Sequence, residues 1–140
     1  MELINLQIKF EIRWDIKIIQ RINHDKIILC VDEANSNEIL QYILDANVIT
    51  EYISIQTILL EKIRIKEKYC KAAVSNKAKD MYEMRFTNNG RNDRIYCKEK
   101  SVGERRYIIM IELYQGKKNQ SIPNKYKNRI EIMGGYEYEF

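Results

Sequence analysis

From residue 4 to residue 18 apolar and polar residues alternate almost without a break. Ile4, Leu6, Ile8, Phe10, Ile12, Trp14, Ile16 and Ile18 fall on one side, and Asn5, Gln7, Lys9, Glu11, Arg13, Asp15 and Lys17 on the other. A period of two predicts a half-buried β-strand, because successive side chains point to opposite faces. The segment is longer than an ordinary strand, which predicts a bend or bulge within it. RINHD then supplies turn formers, KIILCVDE reads as a second strand, and the two can pair as a hairpin.

The period then changes. ANSNEILQYILDA predicts a short helix with Asn35 as cap, Glu38 answering it in a capping box, and Ile39, Tyr42 and Ile43 as the apolar stripe. A longer helix is predicted from Thr50 to Cys70, on the spacing of Tyr52, Ile55, Leu59, Ile63 and Tyr69. Arg64, Lys66, Lys68 and Lys71 would favour the negative end of its dipole and read as a solvated face. After the loop VSNKAKD come three extended segments, MYEMRF, DRIYCKE and RRYIIMIELY, joined by TNNGRN and KSVGE, whose glycines and asparagines suit turns. RYIIMIEL is apolar on both faces and predicts a central, doubly covered strand. Pro123 suits the first turn of a helix over NKYKNRIEIM, which Gly134 and Gly135 would end. The order predicts an α+β domain: an antiparallel twisted sheet, two helices packed on one face, an extra N-terminal strand and a short C-terminal helix. We expect a single domain of residues 1–140, with a β extension over 1–25, a core over 26–133 and a tail over 134–140.

Composition narrows the chemistry. Cys30, Cys70 and Cys97 stand far apart, form no CxxC and are odd in number, so reduced intracellular thiols are expected. His24, the single histidine, falls in a turn, so neither a zinc site nor a histidine-pair ribonuclease is expected. No GxSxG, HExxH or phosphate-loop motif is present, and no metal or other cofactor is expected. Charges interrupt the N-terminal apolar residues, which predicts no signal peptide or membrane span and a soluble, cytoplasmic protein. Residues 1–80 balance twelve basic against twelve acidic residues, whereas residues 81–140 hold twelve basic and eight acidic, so the whole net charge of +4 lies in the second part. That asymmetry suits a polyanion-facing surface, although small proteins also show such asymmetry by chance.

On MYEMRF, alternation sets Tyr82, Met84 and Phe86 on one face and Glu83 and Arg85 on the other. The first set suits the helices, so Glu83 and Arg85 are expected on a partly open side. Arg94 opens the next strand, and Lys117 and Lys118 follow the central one. If these ends converge, Arg85, Arg94, Lys117 and Lys118 surround one concavity. Cations with nearby tyrosines suit a single-stranded nucleic acid, because charges hold phosphates and rings stack on bases. The competing reading pairs Arg85 with Glu83 or Glu112 and leaves the lysines in a wet turn.

YEMRF, DRIYCKE and YIIMIELYQGKKNQSIPNK, in that order, resemble the C-terminal half of the RelE/ParE superfamily of bacterial toxins, closest to its phage-derived, HigB-like branch. Tyr82-Glu83-Met84-Arg85 stands for the family's YELR-type strand, Arg94-Ile95-Tyr96 for its arginine–hydrophobic–tyrosine strand, and Tyr114 through Pro123 for its aromatic, lysine-pair and proline segment. The match spans about residues 26 to 133. It departs at Glu112 and Leu113, at the inserted Gly116, in the final helix and in the N-terminal 25 residues. The resemblance implies a toxin of a type II toxin–antitoxin pair that cleaves mRNA without metal on the ribosome, with a helix-turn-helix antitoxin as partner. Arg85, Arg94, Lys117 and Lys118 would stabilise the phosphorane charge, and Lys125 would add an RNA contact. Fixed donors of this kind contribute roughly 2.7–4 kcal/mol each. Glu83 or a tyrosine (Tyr96, Tyr114 or Tyr136) would carry the proton transfers. Two rivals keep the fold: a ParE-like binder of gyrase, and an inactive binding protein whose N-terminal strand makes a homodimer or docks a partner by strand addition.

Overall fold

A computed structural model describes residues 11–13, 15–61, 67–72, 79–116 and 124–138, with side chains throughout except at 11–13, 61 and 124–127. Within these residues the chain is α+β. Strands β1 (Glu11–Arg13), β2 (Ile16–Ile22) and β3 (Ile27–Asp32) come first. Helices α1 (Ser36–Ile43) and α2 (Ile49–Glu61) follow, then β4 (Tyr69–Lys71), β5 (Met81–Phe86), β6 (Asp93–Val102), β7 (Arg105–Tyr114) and α3 (Asn124–Gly134). The seven strands form one sheet in the order β1-β2-β3-β7-β6-β5-β4.

The sheet is mixed, which corrects the all-antiparallel expectation. β3 and β7 pair in parallel, from Ile27 opposite Arg106 to Val31 opposite Met110, while every other pair is antiparallel. After α1 and α2 the chain re-enters at the far edge, and the β4–β7 meander works back to the centre. β7 thereby docks against β3 running the same way. As its apolar sequence predicts, β7 is central and buried along its middle.

The long N-terminal alternation conceals a reversal. Arg13 lies opposite Ile16 and Glu11 opposite Ile18, so a two-residue turn splits the expected strand into a hairpin. Residues 1–10, with the rest of that expected strand, lie outside the described residues. The β2–β3 turn falls where RINHD puts it, with Asn23, His24 and Asp25 all left-handed (φ 54°, 55° and 63°). Asparagine and aspartate are the side chains that tolerate this region best. In the two-residue β6–β7 turn only Gly103 is left-handed, at φ 62°, which suits a type II′ hairpin.

Two cores flank the sheet. Ile39, Ile43, Val48, Tyr52, Ile55 and Leu59 of the α1–α2 layer pack on Leu29, Val31, Met84, Phe86, Ile108 and Met110. On the opposite face, Ile130 and Met133 of α3 and the following Tyr138 pack on Ile16, Ile28, Cys30, Met81, Tyr96 and Ile109. The second face is therefore covered where the sequence led us to expect it partly open. A β-bulge at Ile19 lets the adjacent Ile18 and Ile19 enter opposite cores.

Two local expectations also change. Asn35 makes no side-chain cap to α1; its Nδ2 donates instead to the carbonyl of Ile111, the residue left without a partner by the β6–β7 register shift (2.8 Å). The capping box with the exposed Glu38 is not formed. Residues Tyr69–Lys71, expected as the end of a helix, are an edge strand paired with β5. Lys68 and Lys71 accordingly lie off the helix.

Candidate functional site

The α3-facing side of β5, β6 and β7 gathers most of the residues singled out from sequence. Partners opposite each other in a ladder share a face. One row across the sheet reads Arg85, Arg94, Tyr114; the next reads Cys70, Glu83, Tyr96, Glu112. The alternation of MYEMRF fixes this, since Met84 and Phe86 enter the α1–α2 core and turn Glu83 and Arg85 the other way.

Two arginines directly opposite each other repel, and Glu83 offsets that repulsion. Its Oε1 accepts from Arg85 Nε at 2.8 Å and from Arg94 Nη1 at 3.0 Å, with Arg85 Nη2 at 2.7 Å. The Cys70 thiol approaches the same oxygen at 3.6 Å. Glu83 is 2% exposed and Arg94 3% exposed, so the pair is internal. Arg85 differs: its side chain is 28% exposed, and its guanidinium is held by Glu83 while it reaches solvent. Glu83 Oε2 and Arg94 Nε are buried without any hydrogen-bond partner. One carboxylate oxygen thus carries every donor and the other carries none.

The surroundings are polar on one flank and closed on the other. Glu112 accepts from Arg129 Nε of α3 at 2.9 Å, a half-exposed pair that ties the helix to β7. The bond from Glu112 raises the Arg129 pKa. Tyr96 is buried in the α3-side core, and Tyr114 is half-buried against it. Burial, reinforced by the charge of Glu83, pushes the Cys70 thiol up, and burial does the same more strongly to Cys97. Both stay protonated near neutrality, so neither offers a thiolate nucleophile. Lys117 and Lys118 lie outside the described residues, and Lys125 stands on α3 with its side chain outside them.

A second buried carboxylate, Glu51, was not anticipated. It begins α2 and is 2% exposed. Lys68 bonds Oε2, Arg91 Nη2 bonds Oε1 at 3.2 Å, and the backbone N–H groups of Thr87 (2.8 Å) and Asn88 (3.2 Å) complete the set. Burial alone would raise its pKa; the Lys68 bond and the two backbone donors outweigh that and hold it below the usual carboxylate value. Its signal in the sequence was an acid at the four-residue spacing from Ile55, on the stripe that the apolar residues mark.

The rows of cations and tyrosines on the α3 face form a surface for an anion, with Arg85 as its exposed described cation. No protein-family model matches the chain, and neither a curated protein nor a solved structure matches it.

Proposed function

We propose that the α3 face of β5–β7 binds the phosphodiester backbone of single-stranded RNA, and that the chain is the mRNA-cleaving toxin of a toxin–antitoxin pair. One observation carries the binding step: a buried carboxylate fixes two cross-strand guanidinium groups, and one of them, Arg85, reaches solvent. Side chains held by a supporting shell meet a phosphate without a further loss of rotamer freedom. Arg85 is the described residue positioned to touch substrate. Arg94 acts through Glu83 and positions it, because its own burial keeps it from a bulky ligand. Cleavage without metal needs the 2′-hydroxyl to attack the adjacent phosphorus while the 5′-oxygen leaves. A proton departs the first oxygen and another reaches the second. The unpartnered Glu83 Oε2 and the hydroxyl of Tyr114 are the groups in the two rows that suit those transfers.

A second reading is favoured by the closure of Glu83 and Arg94 on each other. A pair so buried can serve the fold alone, which leaves a binding protein without cleavage. Incubating the purified chain with a uniformly labelled single-stranded RNA separates the two. Cleavage lost in Arg85→Ala supports the nuclease; binding lost in Arg85→Ala without cleavage by the wild type supports the binding protein. Equal binding by both chains refutes the site itself.

A further inference from the structure

The opposite face of β6 carries a different feature. A cleft of about 440 Å³ opens between α1, the 45–48 turn and the ends of β6 and β7. Three carboxylates line it, Glu38, Asp45 and Asp93, against one cation, Arg91. Arg91 is already neutralised by Glu51 at 3.2 Å.

Asp93 is 5% exposed. Its Oδ2 accepts from the Tyr42 hydroxyl at 2.6 Å and its Oδ1 from the Gly116 N–H at 2.8 Å. Both donors are neutral. Burial, followed by the Asp93 bond, raises the Tyr42 pKa strongly, so the phenol keeps its proton. Buried carboxylates ordinarily have a cationic partner. Asp93 has none among the described residues, and neither do the exposed Glu38 and Asp45. In a chain of net charge +4, these three uncompensated acids share one hollow.

The missing cation has a definite character. Among the described residues no three His, Cys, Asp or Glu side chains are placed to hold one metal ion. The acids are spread around the cleft, which suits a cation with its own width and several donors. The amides of Gln41, Asn47 and Gln115 stand between the carboxylates and offer further oxygens. A guanidinium presents five N–H donors in a plane and matches such a lining better than a compact ammonium does. The rim residues Glu38, Gln41 and Asp45 are exposed, which leaves room for a chain to cross α1.

We propose that this cleft receives an arginine side chain presented by a basic polypeptide partner. Charge complementarity selects the partner, and the site lies on the sheet face opposite Arg85. It stands independently of the RNA reading.

The test is a titration of the isotope-labelled chain with a blocked Gly-Arg-Gly peptide, followed by amide resonances. The peptide should shift the signals of Gln41, Asn47 and Gln115, and a matched citrulline peptide should not. Glu38→Gln combined with Asp45→Asn, both at exposed positions, should weaken binding by about tenfold, and added salt should weaken binding to the wild type. Absence of shifts, or equal shifts with citrulline, overturns the site. Tighter binding of spermidine than of the peptide overturns the polypeptide partner.

Discussion

Glu51 and Glu83 are equally buried, yet they are built to different ends. Glu51 uses both oxygens, against Lys68, Arg91 and two backbone N–H groups, and ties the start of α2 to the β5–β6 turn. Every lone pair it turns inward meets a donor. Glu83 crowds Arg85, Arg94 and Cys70 onto Oε1 and leaves Oε2 bare, beside an equally bare Arg94 Nε. Leaving a buried polar atom unpaired costs about 1–3 kcal/mol. A centre that serves the fold alone would close that gap, as Glu51 does. The contrast marks Glu83 as the centre that keeps unused bonding capacity.

The largest effect should come from breaking the closed centre. Glu51→Ala strands Lys68 and Arg91 and two backbone donors, and should lower unfolding free energy by about 3–5 kcal/mol in a urea titration. Next comes Arg85→Ala, which should reduce RNA cleavage by about 10²–10³-fold. Its partly exposed ion pair contributes only about 0–1 kcal/mol to stability, so the urea midpoint should hardly move. Glu83→Gln mixes both effects, because it also strands the buried Arg94, and so does not discriminate.

Acid should then act through Glu51. Its folded pKa lies below its unfolded value of about 4.3, so its stabilisation is fully present above that value. It is lost as pH falls through the folded pKa. The stability difference between the wild type and Glu51→Gln should therefore shrink on acidification below about pH 4.3. A difference that stays constant would remove the assignment. The smallest effect is expected from Cys70→Ala, at most about 1 kcal/mol with RNA binding unchanged, because the arginines rather than the thiol hold Glu83.

Much of the frame was legible. β5, β6 and β7 lie where MYEMRF, DRIYCKE and RRYIIMIELY place them, since alternation and turn residues are local. The same alternation put Glu83 and Arg85 on one face. It could not reveal the Trp14–Asp15 reversal, because a strand that folds back after two residues still alternates. Nor could it pair β3 with β7, since a period of two carries no information about neighbours. The helical spacing that ran on to Tyr69 hid β4, whose strand depends on contact with β5. α3 was legible as a helix, but which face it covers depends on Ile130 and Met133 finding the core around Tyr96. That packing buries Arg94, and no count of charges could anticipate it.

The most direct test compares single-stranded RNA binding by Arg85→Ala and Arg91→Ala, one arginine from each centre, in chains verified as folded. The account predicts that Arg85→Ala loses most of its affinity at unchanged stability, while Arg91→Ala loses stability and keeps its affinity. Equal affinity in Arg85→Ala and the wild type would contradict it.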